Sequence, residues 1–263
     1  MRRTRRPAVA GLFYPADPGE LATAVARALD LAPADDEGAP KALVVPHAGY
    51  VYSGSTAGVA FARLRACRDR VRRVVLLGPA HRARVDGVAV PSVDAFETPL
   101  GTVPIDDDLR ARVLAVPGVR LDDHAHAAEH SLEVELPFLQ ALLASFTLLP
   151  LAVGDASAEA VAAVLDRVWG GPETLIVVST DLSHYHDYAT ARARDRGTAD
   201  AIVAGNADAI GDDDACGARP LRGLLLAARH RKLAVRCLDL RSSGDTAGDR
   251  ERVVGYGAFA VGE

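Results

Sequence analysis

Cysteine is scarce in this chain, with Cys67, Cys216 and Cys237 the only three among 263 residues. An odd, widely spaced set of this size does not build a disulfide framework; it fits a reducing, cytoplasmic setting and leaves at least one thiol free for chemistry. Long hydrophobic runs are missing too. None approaches the roughly 18 to 20 residues that span a bilayer, so no membrane partner is expected. The opening Met1-Arg2-Arg3-Thr4-Arg5-Arg6 is basic, but Pro7 and a short apolar segment over 8–13 follow it, which is too short and too broken for a signal peptide. An excess of positive charge is also lacking. The formal charge of -5 argues against a nucleic-acid partner, which normally meets a basic stripe. No glycine-rich nucleotide fingerprint follows a strand, and there is no Walker-type loop, Cys-x-x-Cys pair or Gly-x-Ser-x-Gly elbow.

The chain has 49% hydrophobic and 25% charged residues, an ordinary globular balance, and we read residues 1–263 as one domain. Asp17 and Pro18 start a helix that runs to about 31, with Asp17 as N-cap. An acidic, proline-bounded loop over 33–40 precedes a buried strand over 42–45. A helix from 55 to about 67, a second strand over 74–77, and short strands or a hairpin over 88–90 and 96–103 follow. Asp106 caps a helix to about 115, and another helix starts near Ser131 with Val134, Leu136, Phe138, Leu139 and Leu142 as its buried stripe. Beyond it the alternation is regular: strand 147–151, helix 158–168, strand 174–178, helix 189–204, helix 220–231, and strands over 234–240 and 253–261. This pattern is α/β: a central, largely doubly wound mixed sheet flanked by helices.

What stands out is histidine in turns at the ends of elements. The first strand stops at Pro46-His47, and the second ends in Gly78-Pro79-Ala80-His81, a near copy, on what we expect to be a neighbouring strand. A third strand leads to Ser179-Thr180-Asp181-Leu182-Ser183-His184. In open α/β sheets the crevice beyond the carboxyl ends of the strands is where ligands bind, so these imidazoles are placed to act. His130 lies at a helix N-terminus, where an imidazole tends to stay neutral. Cys216 lies just ahead of another helix start, a place where thiol pKa values fall. His47, His81, His130, His184 and Cys216 converging in one crevice suit a metal, because two imidazoles and one anionic ligand leave open positions for water, oxygen or substrate. His124, His126, His186 and His230 are expected to be solvated or merely packed, and Cys67 and Cys237 to lie in the core.

Six segments in order resemble the Memo family, whose bacterial and archaeal members are called AmmeMemoRadiSam system protein B. They are 6–15, Pro46-His47-Ala48-Gly49-Tyr50-Val51-Tyr52-Ser53-Gly54, Leu77-Gly78-Pro79-Ala80-His81, Glu129-His130-Ser131-Leu132-Glu133, 179–184 and Ala215-Cys216-Gly217-Ala218-Arg219-Pro220. The resemblance implies the fold of the class III extradiol dioxygenases, which use non-haem Fe(II). It makes His47, His81 and Cys216 the metal ligands, with the cysteine where those enzymes place a glutamate. His130 and His184 match histidines that act as base and substrate contacts, and Asp181 an acidic residue lining the pocket. A soft thiolate in place of a hard carboxylate widens the choice of metal from Fe(II) to copper or zinc. The resemblance further implies a small-molecule or peptide ligand in the pocket, and an association with radical S-adenosylmethionine and AMMECR1-type proteins. Three functions are thus compatible with the sequence: a mononuclear metal oxidoreductase of dioxygenase type, a metal- or peptide-binding adaptor without turnover, and a metal-dependent hydrolase.

Overall fold

Runs such as Ala42-Leu43-Val44-Val45 and Thr174-Leu175-Ile176-Val177-Val178 have no polar side to offer water, so they can be strands only where both faces are covered. In the computed structural model, which describes residues 3–32 and 38–262, this is how they are used. Met1, Arg2 and most of the loop expected over 33–40 lie outside the described residues.

The first half of the chain contributes β1 (Thr4–Arg5), α1 (Pro18–Asp30), β2 (Ala42–Val45), α2 (Tyr50–Ala62), β3 (Arg73–Pro79), β4 (Val88–Val90), β5 (Ala95–Thr98), β6 (Gly101–Pro104), α3 (Asp107–Leu114), β7 (Val119–Leu121) and α4 (Asp123–Ala127). The second half contributes α5 (Leu136–Leu142), β8 (Thr147–Val153), α6 (Ala158–Val168), β9 (Thr174–Ser179), β10 (His184–His186), α7 (Tyr188–Val203), α8 (Ala218–His230), β11 (Ala234–Ser242) and β12 (Val253–Gly262). The main sheet runs β10-β12-β2-β9-β3-β8-β4-β7, with β11 also paired to β12. Its centre, β2-β9-β3-β8, is parallel: Val45 lies beside Ser179, and Leu77 beside both Val178 and Leu151. On the flanks β12 pairs antiparallel with β2, and β4 with β8, so the sheet is mixed as expected.

Side chains that alternate along the central strands feed two cores. Leu43, Val45, Val74, Leu76, Leu148, Leu175 and Val177 pack with α1, α2 and α5 through Leu21, Val25, Phe61 and Phe138. Their neighbours Val44, Val75, Leu77, Leu149, Ile176 and Val178 pack on the other side with α3, α6, α7 and α8 through Val113, Val161, Leu165, Ile202 and Leu224. Contact between α1 and α2 is close enough that a Cβ on Gly58 would meet the Ala28 carbonyl oxygen at 2.3 Å, so a glycine is needed there. The Asp17 carboxylate caps α1 by accepting from the Gly19 and Glu20 amides, and Asp106 caps α3 through the Leu109 amide. Among the described residues no helix is long and apolar enough to cross a membrane.

The structure departs from the sequence reading in several places. β2 and β3 are not neighbours, because the crossover through α2 skips one strand position and β9 fills it. The hairpin of β5 and β6 leaves the main sheet and joins β1 in a separate one of three strands. α2 begins at Tyr50 rather than 55, directly after the Gly49 N-cap. The helix expected from Ser131 is delayed: a 3-10 turn, Glu133–Glu135, precedes α5, whose first turn holds Pro137. Cys67 is buried as expected, whereas Cys237 is exposed at the bulge between Cys237 and Asp239. His126 is packed in the core, 1% exposed, edge-on to Phe96, with Nε2–H donating to the Ala89 carbonyl at 3.0 Å and Nδ1 without a partner.

His126 sets an acid limit on the fold. Burial pushes its pKa from 6.5 down to about 4. Between these values the unfolded chain binds a proton that the folded chain refuses, so stability is full above pH 6.5 and falls as pH drops towards 4. The penalty has an upper bound on the order of 3 kcal/mol. His126→Gln keeps an N–H donor for Ala89 and removes the titration, so its melting temperature should fall less than that of the wild type over this window. Parallel curves of melting temperature against pH would show that His126 contributes nothing to acid lability.

Candidate functional site

The carboxyl ends of β2, β9 and β3 open on one cavity of about 720 Å³, whose lining includes His47, His81, His130, Asp181, His184 and Cys216. All six residues singled out from the sequence thus meet in one place. A larger hollow of about 860 Å³ lies around the amino ends of the strands at Lys41, Arg63 and Arg70, but its described lining includes no histidine. The chemistry therefore favours the smaller one.

His47 is held from three sides. Its amide donates to Asp181 Oδ1 at 2.8 Å, its Nδ1 lies 2.6 Å from Ser179 Oγ, and its Nε2 lies 3.3 Å from Cys216 Sγ. His81 is fixed by Glu129, whose carboxylate accepts from the His81 amide at 2.5 Å and lies 3.0 Å from its Nδ1. The same carboxylate accepts from the amides of His130 and Ser131 at 3.0 and 2.9 Å. Burial alone would raise the pKa of Glu129, but the His81 contacts and these amides overcome it and hold the acid down to about 2. Glu129 is therefore an acceptor only, and Nδ1 of His81 must be the donor. Likewise Nδ1–H of His184 donates to the Leu182 carbonyl at 2.8 Å. These contacts engage Nδ1 of both rings and leave Nε2 outside them.

The histidines crowd together. Ring centroids of His47, His81 and His130 lie 4.8 to 5.4 Å apart, and Phe13 backs His130 at 4.7 Å. Burial, reinforced by neighbouring histidines, lowers the pKa of His47 far below 6.5, that of His130 to about 4, and that of His184 as well. All three are neutral at pH 7. Asp181 moves the other way, to about 7, because it is buried, although the His47 and Ala48 amides partly offset this.

Cys216 hangs from the segment after β9. Its amide donates to the Asp181 carbonyl at 3.2 Å, the Asp181 amide donates to its Sγ at 3.3 Å, and the Gly217 amide donates to Thr180 Oγ1 at 2.8 Å. A Cβ on Gly217 would sit 2.6 Å from that of Thr180, so only glycine permits the approach. The acidic loop before Cys216 is latched by arginines: Arg194 to Asp214, and Arg219 and Arg222 to Asp212. The expectation of a low thiol pKa fails. Burial, and then the Asp181 charge, push the Cys216 thiol up to about 12, outweighing the amides around it.

Ligand atoms of His47, His81 and Cys216 all lie within 4.8 Å of one another, and those of His81, Glu129 and His130 form a second such group. Donors around one ion at about 2 Å each sit roughly 3 to 4 Å apart, so two imidazoles and a thiol at this spacing fit a metal. Sequence reading missed Glu129, Glu133, Glu135 and Ser179, although acids among apolar residues in Glu129-His130-Ser131-Leu132-Glu133-Val134-Glu135 were a signal of buried carboxylates. It also missed Tyr185, which lines the cavity at a φ of 62°, a strained conformation for an aromatic residue, under the Arg252 guanidinium.

Residues 5–260 match the family profile described as Memo-like protein. A MEMO1 family protein of Aquifex aeolicus is 38% identical over 265 residues, covering 97% of each chain. Another, of Methanothermobacter thermautotrophicus, is 35% identical, covering 96% of this chain and 98% of its own. Among solved structures, the uncharacterized protein JW3007 from Escherichia coli K12 superposes with a TM-score of 0.51 over 82% of this chain and 98% of that one. At 16% identity this is a likeness of fold alone.

The thiol result yields a labelling order. In metal-free protein at pH 8, iodoacetamide should modify exposed Cys237 well before Cys216, whose pKa of about 12 keeps it protonated. Peptide mapping by mass spectrometry reads the order; labelling of Cys216 first would mean that the amides and helix α8, not burial, set its pKa.

Proposed function

The chain belongs to the Memo family, and on that premise we propose that it is a mononuclear metal-dependent oxidoreductase of dioxygenase type, with His47, His81 and Cys216 holding the metal. The single observation that carries this reading is the gathering of these three ligand atoms within 4.8 Å at the wall of a cavity lined by further protonable groups. Fe(II) is the metal put forward first, with copper and zinc as the alternatives a thiolate favours. A bound redox metal would supply electron transfer and a positively charged anchor for substrate oxygen.

The protein's own residues supply the rest. Glu129 orients His81 as the acceptor for its Nδ1–H, the arrangement by which carboxylates fix metal-binding imidazoles. His184 is neutral, its Nδ1–H is engaged by Leu182, and its Nε2 is free to take a proton in the cavity. His130, with a pKa of about 4, is likewise a proton acceptor at pH 7. Asp181, at about 7, stands near half-protonation and, through the His47 amide, steadies the loop after β2. Phe13 packs against the His130 ring and helps to fix it.

Two sets of variants test the assignment. His47→Ala and His81→Ala should lose the metal, measured by elemental analysis of untagged protein, while circular dichroism stays unchanged. His130→Ala and His184→Ala should keep the metal and lower oxygen consumption about 100-fold to 10,000-fold, the usual contribution of a general acid or base. Full metal content in both members of the first set would refute the ligand assignment; metal binding without any oxygen consumption would refute the oxidoreductase.

A further inference from the structure

Ser179, the last residue of β9, is a crossing point of three contacts. Its Oγ lies 2.6 Å from His47 Nδ1, 2.6 Å from the Ser131 carbonyl oxygen and 2.9 Å from Glu135 Oε1. Ser179 is 0% exposed and Glu135 1%. A carbonyl oxygen can only accept, and a serine hydroxyl has one proton to give, so that proton goes to Ser131. The Ser179 oxygen then has only lone pairs left. Its other two neighbours must bring the protons, which requires N–H at Nδ1 of His47 and O–H on Glu135. Were Glu135 ionised, it and the Ser131 carbonyl would compete for one proton. One buried acceptor would then go without, at about 1 to 3 kcal/mol or more for a charged group.

We propose that Glu135 is a positioning residue of the candidate metal centre: as a neutral carboxylic acid it donates to Ser179 and, through Ser179, holds His47 in the Nδ1–H tautomer whose Nε2 lone pair faces Cys216. The Nε2 to Sγ separation of 3.3 Å places that lone pair where the site needs a ligand. Burial also favours the neutral acid, pushing Glu135 well above the ordinary carboxylate range; it outweighs the Ser179 contact, which pulls the other way, and the nearby Asp181 carboxyl adds to it. Glu135 thus does for His47, through one hydroxyl, what Glu129 does directly for His81, but with the opposite protonation state. A carboxylate pointed at Ser179 would draw its proton away from Ser131, whereas a carboxylic acid leaves it there.

The consequence for metal binding rests on His47 being a ligand, as proposed above; the proton arrangement does not. Long-range proton–nitrogen spectra of the metal-free protein should show His47 as the Nδ1–H tautomer. Infrared spectra at pH 8 should show a protonated carboxyl band that disappears in Glu135→Gln. Because the Gln amide N–H can still donate to Ser179, this variant should keep the tautomer and a zinc affinity within about 3-fold of wild type. Glu135→Leu cannot donate; it should mix the tautomers and weaken zinc binding about 10-fold to 100-fold, the usual effect of removing an outer partner of a metal-bound histidine. Should Glu135→Leu not fold, Ser179→Ala, which removes a single oxygen, gives the same comparison. An ionised Glu135, an Nε2–H tautomer of His47, or wild-type tautomer and zinc affinity in both apolar variants would overturn the proposal. A wild-type protein that binds no zinc yet shows both protons in place would instead overturn the metal reading and leave the proton relay standing.

Discussion

The candidate centre depends on burying three acidic side chains, Glu129, Glu133 and Glu135, that come from one short stretch. Each is 1% exposed or less, and each gathers a different part of the chain. Glu129 collects His81 and three amides, while Glu135 contacts Ser179, which in turn touches His47. Glu133 is paired with Arg5 and accepts from the Ala8 and Val9 amides and the Tyr14 hydroxyl. The amides among these partners, those of Ala8, Val9, His81, His130 and Ser131, lie in irregular segments without a sheet ladder to satisfy them, and a buried N–H without an acceptor is costly. An acid here serves segments that an apolar residue could pack against but could not satisfy. Through Glu133 the chain around 5–14 is drawn under the site, where Phe13 meets the His130 ring and its carbonyl accepts from the Tyr50 amide. Removing one partner from such a buried pair is far more damaging than its net contribution suggests, because the charge left behind has no solvent.

The sheet supplies the complementary constraint. The chain steps from β2 to β3 past one vacant position, goes on to β8, and returns through β9 to fill the gap. His47 and His81 therefore stand on either side of the end of β9, and the residues that continue β9 enter between them. Ser179 meets His47 from below, Asp181 accepts from its amide, and Cys216 is suspended from the Asp181 backbone. Crevices in open α/β sheets form where the order of strand connections reverses, and the site residues of this one come from five separated segments.

That reversal explains what was legible in the sequence. Strands with valine and leucine on both faces, helix caps such as Asp17 and Asp106, and histidines in turns after Val45 and Pro79 are local signals; the first two led to the right elements, and the histidines to residues that line one cavity. Strand order is not local: β2 and β3 carry the same motif but nothing in either says that β9 separates them. Burial is not local either. Cys216 beside the start of α8 suggested an acidic thiol, but burial in the folded chain and the charge of Asp181, more than thirty residues away, reverse the shift. For the same reason the segments that the acids between 129 and 135 satisfy could not be read from that stretch alone. The β1-β5-β6 sheet was missed because two residues, Thr4 and Arg5, are too few to show a period.

Electrostatically, the buried wall of the crevice carries little charge, whereas Arg82, Arg194, Asp212 and Asp213 also line the cavity. Burial drives His47, His130 and His184 towards the uncharged imidazole, and Cys216 and Asp181 towards the protonated acid, which is how ionisable groups respond to a site with little solvent. Glu129 alone in this group keeps a firm charge, because donors surround it on every side. A neutral imidazole is already a ligand, but a thiol at about 12 is not, so the proton on Cys216 stands between the metal-free site and a thiolate. Any cation bound there must displace it. Metal affinity is then coupled to proton release and rises with pH. The fixed charge of Glu129, next to the Nδ1–H of His81, would favour a cation held as proposed. A hard carboxylate in place of Cys216 would shed its proton more easily, so a metal held as proposed would have to be soft enough to favour sulfur over the proton.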